Sequence, residues 1–199
     1  MLRVLSLCSV CLFASAVSSQ AAIQTLFDDN FDADSAGVNG YQTVTDLTKW
    51  NVTAGNVDVL GVAYNCTGCV DLDGTGSQAP AVLETKTALS FIANVLYTFQ
   101  LFFSGGSEQE TVTLTVVGSV SQLAGNGASV FSVSDAPASN LLSTVKISTS
   151  GPVNNIGPYL DRVLITYDDG LAAVPVPAAA PLLLGGLGLI GAFARRRRS

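Results

Sequence analysis

Two thiols and two carboxylates sit almost side by side in this chain. Cys66-Thr67-Gly68-Cys69 is followed at once by Val70-Asp71-Leu72-Asp73-Gly74. A redox Cys-x-x-Cys needs its first thiol at a helix N-terminus, where its pKa falls. Val70-Asp71-Leu72 is strand-like instead, so a short structural disulfide is the expected use of Cys66 and Cys69 in an exported chain, with a redox or metal role as the alternative. Two cysteines do not close a zinc site without histidine or carboxylate partners. Asp71 and Asp73 lie two apart at a strand end and point the same way, and Gly74 lets the backbone turn so that carbonyls join them. Hard oxygen ligands of this kind suit Ca²⁺. The spacing is not that of an EF-hand, since the 12-residue loop and its closing Glu are missing. The competing reading is a plain Asp73-Gly74 turn with Asp71 solvated at a strand edge. Glu108 and Glu110 share one face beside a glycine turn and are expected to be solvated.

Little in the sequence points to catalysis. The chain has no histidine, which removes the commonest general base and the commonest transition-metal ligand. It has no Gly-x-Ser-x-Gly elbow. Gly125-Asn126-Gly127 is not a phosphate loop, because no helical pattern follows it. The 15 acidic residues allow many carboxylate pairs for glycoside hydrolysis, but nothing selects one. No catalytic residue is expected. Tyr41, Trp50, Tyr64 and Tyr159 are the aromatic candidates for stacking on a sugar. Trp50 is expected in the core. Tyr64 and Tyr159 flank polar loops and are the expected ligand-facing pair.

The elements that must position these residues read as all-β. Ser, Thr, Gly, Asn and Val dominate, and no long stretch keeps a helical period. Strands are expected at residues 25–31, 50–53, 56–60, 70–72, 82–87, 95–103, 110–117, 129–133, 141–148 and 160–167. In residues 95–103, Val95, Tyr97, Phe99, Leu101 and Phe103 share one face by period two, and Val112, Leu114 and Val116 do so in residues 110–117. With Ser104-Gly105-Gly106-Ser107 between them, these two strands are expected to form a hairpin. Residues 119–127 read as a flexible connection, and 171–174 as a linker. The fold class expected is a single β-sandwich or jelly-roll domain.

Both ends differ from this body. Arg3, the apolar run 4–17 and Ser19-Gln20-Ala21 read as a signal peptide over residues 1–21, routed through the Sec export machinery and cut after Ala21. Cys8 and Cys11 lie inside it, without the small residues that precede a lipoprotein cysteine. At the other end, residues 178–194 carry no charge and as a helix would span about 26 Å, near the lower limit for a bilayer. Arg195, Arg196, Arg197 and Arg198 follow as a basic stop. The body, residues 22–170, keeps all 15 acidic residues against Lys49, Lys86, Lys146 and Arg162, a net charge of −11 where the whole chain has −6. Such a body repels nucleic acid and anionic membrane.

Val174-Pro175-Val176-Pro177-Ala178, the apolar run and the Arg block together resemble the C-terminal sorting signal of the PEP-CTERM family, in the variant reading Val-Pro-Leu-Pro-Ala, with Val176 in place of the Leu. The resemblance covers only about the last 26 residues, within a sorting segment assigned to residues 171–199. It implies a Gram-negative protein exported across the inner membrane, held there, cut near the Pro motif by an exosortase-type membrane protease, and delivered to the cell surface or extracellular matrix. A plain single-pass anchor that is never cut is the alternative.

The body has a resemblance of its own. Asp28, Asn30-Phe31-Asp32, then Val70-Asp71-Leu72-Asp73-Gly74-Thr75-Gly76, Leu83-Glu84-Thr85-Lys86 and Gly157-Pro158-Tyr159-Leu160-Asp161-Arg162-Val163 look like the galactose-binding-like jelly roll common in PEP-CTERM proteins. Arg162 departs from the Asn usual there. The resemblance implies a fold related to carbohydrate-binding modules, and a structural Ca²⁺ between first and last strands that would bring Asp32 and Asp161 to Asp71 and Asp73. The function expected is a non-catalytic surface protein with a binding or structural sandwich and extracellular polysaccharide as its ligand. The alternatives are a polysaccharide-active enzyme on the same scaffold and a non-specific adhesive.

Overall fold

The computed structural model describes residues 21–64, 66, 68–77, 79–106, 110–116, 119–124 and 129–172. The expected signal peptide, the sorting motif, the apolar run and the basic stop therefore lie outside the described residues, apart from Ala21. Among the described residues no helix is long and apolar enough to cross a membrane. The chain divides into two units, one of Ile23–Asp169 and one of Met1–Ala22 with Gly170–Ser199.

The first of these units is an all-β sandwich. One sheet has seven strands: β1 (Ala21–Asp29), β2 (Tyr41–Val44), β4 (Val57–Leu60), β5 (Cys69–Asp71), β8 (Tyr97–Gly106), β11 (Ser129–Asp135) and β14 (Pro158–Ala172). Its path runs β11-β8-β14-β5-β4-β2, with β1 also paired to β14. The second sheet orders β10 (Ser119–Ala124), β9 (Thr111–Val116), β13 (Lys146–Ser150), β6 (Val82–Thr85) and β3 (Trp50–Ala54). A small sheet pairs β7 (Leu89–Phe91) with β12 (Leu141–Ser143). A single turn of helix, α1 (Asp32–Ser35), follows β1.

One core binds the two large sheets. Tyr97, Phe99 and Leu101 of β8 and Val163 and Ile165 of β14 meet Val112, Leu114 and Val116 of β9, Ile147 of β13 and Leu83 of β6. β8, β9 and β13 each alternate buried with more exposed positions, as a strand with one face in the core must. Trp50 is fully buried in the same core, as expected, and its indole N–H donates to Asp29 Oδ2 at 2.8 Å.

The hairpin expected between residues 95–103 and 110–117 does not form. β8 pairs with β11 and β14, whereas β9 pairs with β10 and β13 in the other sheet. The reason is geometric: both strands carry their large apolar side chains on one face, and those faces meet across the core, which two neighbours in one sheet do not do. Gly105 and Gly106, at φ 151° and 100°, end β8 while still paired with Tyr159 and Pro158 of β14. Three smaller corrections concern strand limits. Residues 119–124 are a strand rather than a connection, lying antiparallel to β9. The expected strand 141–148 is broken in two, with β12 and β13 in different sheets. β14 runs on to Ala172, past the expected end at Tyr167 and into the expected linker.

Candidate functional site

Three groups of candidate residues come together in the folded unit. The first is aromatic. Tyr41 on β2 and Tyr64 on the 3-10 turn Val62–Tyr64 stand edge to face, ring centroids 6.3 Å apart, and both are exposed. The turn is held against the loop before β2 by Ala63 N donating to Asn39 O at 3.0 Å and Gly61 N to Gly40 O at 2.7 Å. Tyr159 is half-buried and packs on Leu60, Cys66 and Cys69. Burial first, then the charge of Asp71 and the neighbouring Tyr64, pushes its hydroxyl pKa up. An open pocket of about 480 Å³ adjoins this turn, lined in part by Asp32, Asn39, Gly61 and Val62. Of the aromatic stacking candidates, Tyr41 and Tyr64 thus stand together and exposed, whereas Tyr159 is half-buried against the disulfide.

The second group surrounds the thiols. Cys66 and Cys69 form a disulfide, as expected. Asp161 Oδ1 lies 3.4 Å from Cys69 Sγ. Asp161 is the extra residue of a β-bulge: Leu160 stands opposite Phe103 and Arg162 opposite Phe102. The bulge turns Asp161 toward the disulfide. Arg162 goes to β1, where its guanidinium donates to both oxygens of Asp28 at 2.7 Å. That pair holds the Asp28 carboxyl below its usual range, whereas burial and then Asp32 raise Asp161. Asp28, Asn30, Asp32, Asp161 and Arg162 line one open, polar pocket.

The third group is buried. Asp71 and Asp73 are 3% and 1% exposed, so neither is the solvated edge or turn residue of the plainer reading. Asp71 Oδ1 accepts from the amides of Asp73 (2.9 Å) and Gly157 (2.7 Å). Asp73 Oδ2 accepts from the amides of Asn154 and Asn155, at 2.7 and 2.8 Å. Gly157 is obligatory here, because a Cβ on it would come 2.7 Å from Asp71 Oδ1 and 3.0 Å from the Asp73 side chain. Asp58 lies alongside and accepts from Thr43 Oγ1 at 2.5 Å and from the amide and hydroxyl of Thr75 at 2.9 and 2.6 Å. Glu110, expected to be solvated, is 2% exposed. Burial raises Asp71 and Glu110 to about 7, and Asp73 and Asp71 add to the rise at Glu110. Glu108 lies outside the described residues.

The Ca²⁺ arrangement implied by the resemblance does not fit these positions. Asp71 with Asp73 forms one centre and Asp32 with Asp161 another, the electrostatic neighbours of each pair lying within its own group. Between first and last strands, moreover, the Arg162 guanidinium already supplies a fixed positive charge, bound to Asp28. Among the described residues, the three-residue group with metal-ligand spacing is Cys66, Cys69 and Asp161, whose sulfurs are bonded to each other and so are not thiolate ligands.

Residues 173–198 match the PEP-CTERM protein-sorting motif. A PEP-CTERM motif implies export, membrane-anchored sorting and processing by exosortase, a membrane protease. No match is found among curated proteins. Solved structures similar to the chain include a CBM35 from Paenibacillus barcinonensis, at 17% identity and TM-score 0.41, covering 62% of this chain and 97% of that one. Another is BiXyn10A CBM1 in its apo form, at 14% identity and TM-score 0.44, covering 72% and 98%. A third is an exo-beta-1,3-galactanase from Phanerochaete chrysosporium, at 15% identity and TM-score 0.33, covering 76% of this chain and 30% of that one.

Proposed function

We propose that this chain is an exosortase-sorted protein of a Gram-negative cell surface or extracellular matrix, whose sandwich binds polysaccharide without turning it over. Delivery rests on the PEP-CTERM motif, read in the Val-Pro-Leu-Pro-Ala variant with processing near Val174-Pro175-Val176-Pro177-Ala178. The observation that carries the binding is the exposed Tyr41–Tyr64 pair beside an open pocket whose wall is mostly apolar, with Asp32, Ser35 and Asn39 as its polar groups. Aromatic faces stack on the C–H faces of sugar rings while carboxylate and amide groups take hydroxyls, the mix of apolar body and a few polar groups typical of small-ligand sites. Asp32 and Asn39 supply such groups at this pocket.

Binding to extracellular polysaccharide, measured by affinity electrophoresis or a glycan array, should weaken about 10-fold in Tyr64→Ala and again in Tyr41→Ala. That corresponds to about 1.4 kcal/mol for each stacked ring. Unchanged binding in the double variant would remove this face from the site. A second reading has its own observation: Asp71 and Glu110, raised to about 7, have the pKa a general acid needs at neutral pH. Both are buried, away from any substrate surface. Release of reducing ends from polysaccharide, lost in Glu110→Gln, would favour that reading.

A further inference from the structure

We propose that the tip formed by residues 92–96 and 136–142 is a docking surface for a lipid bilayer, on which the sandwich rests while its tail is held in the membrane. This contact belongs to the membrane-anchored stage that the PEP-CTERM motif implies. Three aliphatic side chains stand out at the tip: Ile92, Leu96 and Leu142, at 50%, 55% and 73% exposure. Leu142 lies opposite Ser90 in the small sheet, on the face turned away from the buried Phe91. Ile92 follows Phe91 and Leu96 precedes the buried Tyr97, so both also point away from the core.

Two properties set this tip apart from an ordinary wet loop. It carries no charge: residues 87–96 and 136–145 hold no Asp, Glu, Lys or Arg, in a body that has 15 acids. Its backbone donors are also already used. The amides of four successive residues, Ile92, Ala93, Asn94 and Val95, donate to Tyr97 Oη (2.8 Å), Asn140 Oδ1 (2.7 Å), Pro137 O (2.8 Å) and Ile92 O (3.3 Å). A loop in water leaves such donors to solvent. A loop pressed into lipid must satisfy them itself, since no water is there to pair a free amide.

The course of the chain says what covers the tip. Tyr97 opens β8 here, and Tyr167 of β14 stands opposite it, so β14 reaches this end with the sorting tail still ahead in sequence. Ala178, where the apolar run begins, follows eleven residues after Tyr167, a reach of at most about 40 Å. On so short a tether the bilayer is presented to the tip at high effective concentration, and a few aliphatic side chains are enough to hold it. Asp135 lies opposite Tyr97, and Asp168 follows Tyr167. Anionic headgroups repel these carboxylates, so the lipid selected is zwitterionic. Tyr159 and the disulfide lie eight residues back along β14, about 26 Å away, so docking leaves that end open to solvent.

The test uses purified full-length protein reconstituted in phosphatidylcholine vesicles with brominated acyl chains. Trp50 is buried and gives a constant background, so a tryptophan added at the surface reports its own surroundings. Flotation with the vesicles reports the tail, and quenching by bromine reports the tip. Leu142→Trp and Leu96→Trp should each be quenched about 2-fold or more, with no change in about 0.5 M NaCl and less quenching when half the lipid is phosphatidylglycerol. Val153→Trp, in the loop before β14, should not be quenched. Ile92→Asp added to the Leu142→Trp protein should at least halve its quenching. Docking is overturned if the protein floats but Leu142→Trp and Leu96→Trp are quenched no more than Val153→Trp, or if Ile92→Asp changes nothing. A dimer in detergent that Leu142→Ser dissociates would give the tip to a second copy and overturn it as well. Protein that does not float overturns the anchored stage, and the docking with it.

Discussion

Glu110 shows how a single side chain changes its meaning between sequence and fold. Beside Gly105 and Gly106 it reads as a solvated turn residue. Yet it is in phase with Val112, Leu114 and Val116, and that parity turns it inward just before β9 begins at Thr111. The signal was in the alternation, and the glycines beside it masked it. Asp58 had no such signal: every residue of β4 is buried, so period two does not distinguish its faces. The raised pKa values give a pH dependence with a definite sign. Asp71 and Glu110 titrate at about 7 in the fold, against ordinary values of 3.8 and 4.5. Their protonated forms favour the fold fully below about pH 4, and this contribution is lost as pH rises through 7. Tm should therefore fall between pH 5 and pH 8, and the fall should be shallower in Glu110→Gln. A Tm that climbs over this range would mean that these groups are not buried as described.

At the scale of elements, the sequence shows which face of each strand is apolar but not which strand lies beside it. The alternation in β8 and β9 was legible, and their burial follows it, but alternation is the same for a hairpin and for two strands facing across a core. Likewise Asp161 lost its expected neighbours because a bulge, invisible to period counting, turned it toward the disulfide. Trp50 was legible as core. Its bond to Asp29 was not, because it joins β3 of one sheet to β1 of the other, 21 residues apart in sequence. That bond and the ring's edge contact with Phe27 fasten the first strand to the far sheet. Trp50→Phe keeps most of the apolar volume but leaves Asp29 without its indole donor. The expected loss is about 2–3 kcal/mol in denaturant unfolding. A loss below about 0.5 kcal/mol would show that the bond does not hold β1 in place.

At the scale of the molecule, the two ends and the body carry different information. The all-β class, the exposed Tyr64 and the disulfide were readable from composition, alternation and the Cys spacing, since each depends on local sequence. The grouping of carboxylates was not, because it depends on which loops the topology brings to β5. The Arg162–Asp28 pair shows the same limit: the departure from Asn was visible, but its partner on β1 was not. The tail was the most legible stretch of all, and the PEP-CTERM match at residues 173–198 agrees with its reading. Such a motif fits delivery to a cell surface, and the body it follows has a net charge of −11.

If the tail is a processing signal and the sandwich the working protein, intact mass of the protein recovered from the envelope and from the medium should show it. The expected mature species starts after Ala21 and ends near Val174-Pro175-Val176-Pro177-Ala178, without the apolar run or Arg195, Arg196, Arg197 and Arg198. A full tail through Ser199 in every fraction would contradict it and leave a plain membrane anchor.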